Sequence, residues 1–155
     1  HETVLRLELK PDCRGRLYDG LAGSALADID RAGLQSRSYV TSFAVDYLRA
    51  PAVADSGLPT LLLVETETFR AIGALDGLAR TLDLAGTTRF ALPIDSLSAE
   101  LVASAQARGL TVSAFGCHDD TQVEAALRLR LPVFTSDRPS VALALRDRTL
   151  TPQRL

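Results

Sequence analysis

In the stretch from Thr3 to Lys10, apolar and charged residues alternate strictly from Leu5 onward, and Pro11 follows. A repeat of two residues is typical of a β-strand, whose side chains point alternately to opposite faces. Proline cannot donate to a strand ladder, so Pro11 is predicted to end the strand. The apolar side consists of Leu5, Leu7 and Leu9, and the charged side of Arg6, Glu8 and Lys10.

Five further strands are predicted, each separated from the next by apolar residues at helical spacing. They cover residues 38–43, 60–65, 89–94, 110–115 and 132–135. A single helix is predicted over residues 69–79, and Ser96 is predicted to be the N-cap of the helix before the fifth strand. Alternating strands and helices predict an α/β fold with a parallel sheet. Two architectures remain open on this pattern: six units of an eight-stranded βα barrel, or a six-stranded doubly wound open sheet. The charged face of the first strand favours the barrel, because that face needs a polar cavity, and it makes Glu8 and Lys10 site candidates.

Length and composition exclude several classes of protein. The 155 residues are predicted to form a single domain, 1–155, and the net charge of −2 gives no basic footprint for nucleic acid. No apolar run is long enough for a transmembrane segment, and the first residues lack signal-peptide character, which favours a cytoplasmic location. Cys13 and Cys117 match no known framework and are predicted to be free thiols. An oligomer is compatible with the sequence.

Four short motifs occur in order along the chain, at the predicted carboxyl ends of strands. They are Leu7-Glu8-Leu9-Lys10, Val40-Thr41-Ser42-Phe43 with Asp46 shortly after, Gly109 to Phe115, and Phe134-Thr135-Ser136-Asp137-Arg138-Pro139. In order and spacing, this set resembles the glycerophosphodiester phosphodiesterase family over essentially the whole chain.

The resemblance implies a TIM-type (βα)8 barrel of which this sequence holds about strands three to eight. It implies hydrolysis of a small-molecule glycerophosphodiester to glycerol 3-phosphate and an alcohol, with a divalent metal such as Ca²⁺ or Mg²⁺. Glu8 matches a metal ligand of the family, and Lys10 matches the catalytic lysine near the phosphate. These roles suit the residues, since hard cations prefer carboxylate oxygens and residues two apart on a strand share a face.

The resemblance also implies roles for residues after later strands. Ser42 is expected to line the substrate pocket or to pack the barrel, and Phe115, in place of the family's tryptophan, to form the pocket wall. His118 takes the place of the family's asparagine and is predicted either to contact substrate or to lie in a solvated loop. Asp137 is predicted to cap the last helix.

Other parts of the family pattern have no counterpart in these 155 residues. They are the His-Arg-Gly motif, the Glu-x-Asp pair and the second His-Asp motif, which supply the acid–base histidines and further metal ligands. Two functions therefore stay open. One is metal-dependent hydrolysis, if the N-terminal barrel strands exist, and the other is a catalytically inactive domain that binds a phosphate ester or a protein partner.

Overall fold

The computed structural model describes residues 4–150, with side chains to residue 148, and it has an α/β fold. The strands are β1 (Leu5–Glu8), β2 (Ser38–Ser42), β3 (Thr60–Leu63), β4 (Arg89–Pro93), β5 (Thr111–Cys117) and β6 (Phe134–Ser136). The helices are α1 (Leu21–Arg31), α2 (Val45–Arg49), α3 (Pro51–Ala54), α4 (Thr66–Ala71), α5 (Ala74–Ala85), α6 (Ala99–Ala107), α7 (Asp120–Arg128) and α8 (Pro139–Leu150). Short 3-10 turns cover Gln35–Arg37 and Ile94–Ser96.

The strand order in the sheet is the order along the chain, β1-β2-β3-β4-β5-β6. A doubly wound sheet reverses its strand order at a switch point, whereas successive βα units of a barrel do not. The order therefore agrees with part of a TIM-type barrel and contradicts the open doubly wound alternative. The numbering of the strands as three to eight stays a prediction.

The chain divides into two compact units, one ending at Phe90 and the other beginning at Ala91. In the first unit β1 runs parallel to β2, with Leu5 opposite Ser38 and Glu8 opposite Thr41. β2 in turn runs parallel to β3, whose residues Leu61 to Leu63 are all buried. Continuous burial is typical of a strand covered on both faces, as its unbroken apolar sequence predicts.

A buried tyrosine fixes the chain that leaves β1. Tyr47 of α2 is 2 % exposed, and its hydroxyl accepts a hydrogen bond from the Tyr18 amide at 2.9 Å. The same hydroxyl donates to the carbonyl oxygen of Lys10 at 3.4 Å. A buried phenol needs a polar partner, and here it finds two across the ends of one loop. The backbone at Lys10 is therefore held in place by a side chain from the core.

The second unit contains a bulge in β5. Ala114 is opposite Phe134 and Cys117 is opposite Ser136, so β5 has one residue more than β6 between these pairs. Gly116 lies in the bulge with φ of 75°, a conformation that residues with a Cβ rarely adopt. An extra residue of this kind bends the strand and redirects the side chains beyond it. The core of this unit consists of Ile94, Ala114, Cys117, Val123 and Ala126.

Several sequence predictions of local structure are wrong in detail. The helix predicted over residues 69–79 is two helices, because Gly73 adopts φ of 90° and turns the chain between α4 and α5. The N-cap of α6 is Ser98, whose hydroxyl accepts from the Leu101 amide, and not Ser96. The fifth strand extends to Cys117, two residues beyond the predicted end. In the part of the chain that the structure describes, no helix is long and apolar enough to cross a membrane.

Candidate functional site

The Glu8 carboxylate lies at the carboxyl end of β1, the end at which βα barrels carry their chemistry. Lys10 follows two residues later, and its ammonium Nζ is 3.5 Å from Glu8 Oε1. The lysine side chain is 70 % exposed and the glutamate side chain 30 % exposed. The structure thus brings together the two residues that the sequence places on the charged face. An ion pair this open to solvent contributes little to stability.

One oxygen of this carboxylate has an unusual environment. Glu8 Oε1 is shielded from solvent and has no hydrogen-bond donor among the residues that the structure describes. The Lys10 ammonium is close enough for electrostatic attraction, but its geometry is not that of a hydrogen bond. A carboxylate oxygen without water or a donor is costly, and a bound cation would compensate it.

The described residues supply only part of a metal site. Between residues 4 and 148, no group of three or more His, Cys, Asp or Glu side chains is arranged to hold a metal ion. The Glu8 carboxylate therefore fits the donor chemistry of a hard divalent cation, but it is a single ligand.

Ser42, at the carboxyl end of β2, is fully buried. Its hydroxyl donates to the carbonyl oxygen of Leu9 at 2.7 Å and accepts from the Ala44 amide at 3.0 Å. These bonds fasten the end of β1 to the turn after β2, directly beside Glu8 and Lys10 in the chain. The contact of Ser42 with substrate stays a prediction, while its role as a support for the β1 end is visible in these bonds.

We expect Ser42→Ala to lower the free energy of unfolding by about 2 kcal/mol, because it leaves a buried carbonyl and a partly buried amide without their partner. Urea unfolding followed by circular dichroism measures the change. Ser24→Ala, at an exposed position in α1, is the matched control and should change stability by no more than about 0.5 kcal/mol. Equal stability of the two variants would show that the hydroxyl of Ser42 does not anchor β1.

A tight turn after β1 is organised by Asp12. Its Oδ1 accepts hydrogen bonds from the amides of Arg14 and Arg16, each at 2.8 Å, and its Oδ2 contacts the Arg16 guanidinium. The bond from the Arg16 amide, followed by that from Arg14, holds the pKa of Asp12 below its usual value. The sequence signal for this turn is an aspartate three residues before a glycine, Gly15. In the structure Gly15 has φ of 77°.

In the second unit, the candidate residues lie at the end of β5. Phe115 is partly buried and precedes the bulge, and His118 is the first residue after the strand. His118 Nδ1 is 2.5 Å from Oδ2 of Asp137, the residue directly after β6. Asp137 is not the cap of α8 as predicted, because the helix begins at Pro139 and the carboxylate contacts the imidazole instead.

Two further side chains hold the backbone at His118. Gln122 Oε1 accepts from the His118 amide at 2.8 Å, and Gln122 Nε2 donates to Asp95 Oδ2 at 3.1 Å. Gln122 also completes a capping box with Asp119 at the start of α7. The capping box is readable from Asp119 and Gln122 three residues apart. The contribution of Asp95 depends on tertiary structure and has no signal in the local sequence.

Both cysteines are free thiols, as predicted. Burial raises the pKa of Cys117 to about 11, and the Asp95 and Asp119 carboxylates add to the rise. A thiol with so high a pKa is almost entirely protonated at neutral pH and is a poor nucleophile. Cys117 therefore belongs to the core and not to the chemistry of the neighbouring site.

Neither a protein-family model nor a curated protein matches the chain. Several solved structures do match the chain. A crystal structure from Agrobacterium tumefaciens, assigned as a glycerophosphoryl diester phosphodiesterase, is 29 % identical with a TM-score of 0.86, over 93 % of this chain and 57 % of the other. A structure with the same assignment from Silicibacter pomeroyi is 21 % identical with a TM-score of 0.77, over 94 % and 50 % of the two chains.

A third structure is a phosphodiesterase from Oleispira antarctica in complex with its product, sn-glycerol 3-phosphate. It is 17 % identical with a TM-score of 0.67, over 93 % of this chain and 55 % of its own. At 21 % and 17 % identity, the second and third structures show a shared fold alone. The Agrobacterium tumefaciens structure supports the family resemblance read from the motifs, and the chain spans about half the length of these three proteins.

Proposed function

We propose that the protein is a phosphodiesterase-like hydrolase that cleaves a glycerophosphodiester to glycerol 3-phosphate and an alcohol. The main support for this proposal is the structural similarity to the Agrobacterium tumefaciens protein, which is 29 % identical with a TM-score of 0.86 over 93 % of the chain. The position of Glu8 and Lys10 at the carboxyl end of β1 supports the same reaction. The product bound to the Oleispira antarctica phosphodiesterase is the one that this reaction would release.

The proposed chemistry uses the charges at the end of β1. Lys10 carries a mostly exposed ammonium that can neutralise charge on the phosphate as the alcohol leaves. Glu8 would hold a divalent cation, Ca²⁺ or Mg²⁺, through the oxygen that lacks a hydrogen-bond donor. When bound, such a cation polarises a phosphoryl oxygen and lowers the barrier to attack by water. Glu8 and Lys10 would thus act on the same phosphate from the carboxyl end of one strand.

The direct test is release of glycerol 3-phosphate from glycerophosphodiesters of different alcohols by the full-length protein. We expect turnover in Ca²⁺ or Mg²⁺ and none after chelation, with activity restored by adding the metal back. Turnover that is unaffected by chelation would contradict the role of the metal. No turnover of any glycerophosphodiester in either metal would contradict the proposed reaction.

A binding role without turnover is the second candidate. The observation that favours it is the single carboxylate ligand within the described residues, in which no larger metal-binding group occurs. A domain of this kind would take up a phosphate ester through Lys10 or bind a protein partner, and would release no product. Binding of sn-glycerol 3-phosphate in calorimetry, together with absence of turnover in the assay above, would establish this function in place of hydrolysis.

A further inference from the structure

A groove in the second unit is lined by residues of α7, of the turn that follows it, and of α8. Its volume is about 970 Å³. The apolar part of the lining consists of three partly buried leucines, Leu127, Leu131 and Leu145. All three also pack against the apolar core of this unit, so the surface that they present to the groove is recessed. The groove therefore has an apolar floor.

Four arginines border this floor. They form two Arg-x-Arg sequences near the C-terminal ends of the two helices, Arg128 with Arg130 and Arg146 with Arg148. Arg128 is 4.0 Å from the Glu124 carboxylate, and Arg146 is 2.9 Å from that of Asp147. The guanidinium groups of Arg130 and Arg148 have no ion-pair or hydrogen-bond partner among the side chains described up to residue 148. Two positive charges thus lack a counter-charge in a protein whose net charge is −2.

The backbone at Arg130 is unusual. Its φ is 52°, and it follows the C-cap of α7, the position at which helices commonly end with glycine. The Arg130 amide donates to the carbonyl oxygen of Leu127 at 3.0 Å, and the Leu131 amide to that of Ala126 at 3.3 Å, which are the two bonds of a Schellman ending. A residue with a Cβ is less stable than glycine in this conformation.

The helix dipole does not explain an arginine at this position. A cation in the last turn interacts with the dipole without a left-handed backbone, and Arg128 already lies there. Arg130 is therefore unfavourable for the fold alone, which points to a use of its side chain in the groove.

We propose that this groove binds an acidic segment of a partner protein. Apolar side chains of the segment would lie on the leucine floor, and its carboxylates would contact the guanidinium groups of Arg130 and Arg148. A guanidinium group presents parallel N–H donors that match a carboxylate. This interaction surface goes beyond the hydrolysis proposed above and uses residues of the second unit alone.

The chemistry of the groove favours this occupant over three others. A flat bilayer needs protruding apolar side chains, whereas these leucines are recessed. Single-stranded nucleic acid is bound by stacking on aromatic side chains, and the residues described around the groove include none. The sequence of residues 149–155 contains a further arginine and no acidic residue, so it cannot supply the missing counter-charge.

Fluorescence anisotropy with the full-length protein tests the proposal. The probe is a synthetic labelled peptide with leucines at helical spacing and glutamates between them, and the matched peptide has glutamine at each glutamate. We expect saturable binding of the glutamate peptide, with an affinity that falls as NaCl is added because exposed charges are screened. The glutamine peptide should bind at least about tenfold more weakly.

Variants of the two arginines without partners locate the binding site. Arg130→Gln combined with Arg148→Gln should lower the affinity for the glutamate peptide about tenfold. Arg108→Gln removes the same charge at an exposed position at the end of α6 and is the matched control, with unchanged affinity. Arg130→Gly should raise the midpoint of urea unfolding and yet weaken binding of the peptide. A merely structural role of Arg130 would change the midpoint alone.

Three results would overturn the proposal: no binding of the glutamate peptide to the full-length protein, equal binding of the two peptides, or unchanged affinity in the double variant. Sedimentation with phosphatidylglycerol vesicles that the double variant loses, without binding of the peptide, would identify a membrane surface as the occupant instead. Loss or absence of hydrolysis in any of these proteins leaves the interpretation of the binding data unchanged.

Discussion

Replacing Glu8 by glutamine should abolish hydrolysis of glycerophosphodiesters, with kcat/KM lowered on the order of 10³-fold or more. Glutamine has the same shape but carries no charge, so it can neither balance a divalent cation nor pair with Lys10, which lies 3.5 Å from Oε1. Because Oε1 already lacks a hydrogen-bond donor in the described structure, the fold should not be weakened. Steady-state assays at several metal concentrations measure the loss.

The control for this experiment is a variant that loses a carboxylate at another, exposed position. Glu124→Gln affects only an exposed pair with Arg128 at 4.0 Å and should retain wild-type kcat/KM. Calorimetric titration with Ca²⁺ or Mg²⁺ adds a readout other than activity, and the affinity should fall in Glu8→Gln alone. Full activity or unchanged metal affinity in Glu8→Gln would show that this carboxylate is not a metal ligand.

The second large effect concerns Gly77, in the first turns of α5. A Cβ at this position would lie 1.5 Å from the carbonyl oxygen of Ile72 and 2.5 Å from the carbonyl carbon. Both atoms belong to the backbone at the corner between α4 and α5, so no side chain can move aside to make room. We expect Gly77→Ala to lower the free energy of unfolding by about 3 kcal/mol or more. Urea and thermal unfolding measure it.

Gly23 in α1 is the matched control. It also lies inside a helix, but a Cβ there would meet nothing within 4 Å. Alanine has the better helix propensity, so Gly23→Ala should raise stability by about 0.5–1 kcal/mol. The two substitutions are chemically identical and should have opposite signs. A Gly77→Ala protein as stable as Gly23→Ala would contradict the close packing at this corner.

The elements with a strong period were predictable from the sequence. The alternation before Pro11 predicted β1, and the apolar run at Leu61 to Leu63 predicted the buried strand β3. The βα repeat predicted the parallel pairing, because such connections need a helix between strands. These signals are local, so a single sequence is sufficient to read them.

Features set by the conformation of one residue or by contacts between distant segments were not predictable. Gly73 occupies a stretch with helical spacing, and only its positive φ reveals that the helix breaks there. The contact of Asp137 with His118 joins residues 19 positions apart and depends on the register of β5 against β6. The shielded oxygen of Glu8 depends on packing around β1 and has no counterpart in the alternating pattern. Such features follow from tertiary geometry, which local pattern does not encode.

The bulge at Gly116 changes the phase of β5. Ala114 and Cys117 are three residues apart, an odd spacing that in a regular strand places them on opposite faces, yet both belong to the same apolar cluster. The strand therefore consists of two segments in which side chains alternate regularly between the faces. At Gly116 this alternation shifts by one residue. A regular strand of the same length, without the bulge, would exchange the faces of everything that follows and send the Cys117 sulfur outward. The bulge, as much as the composition of the strand, therefore determines which side chain meets solvent at its end.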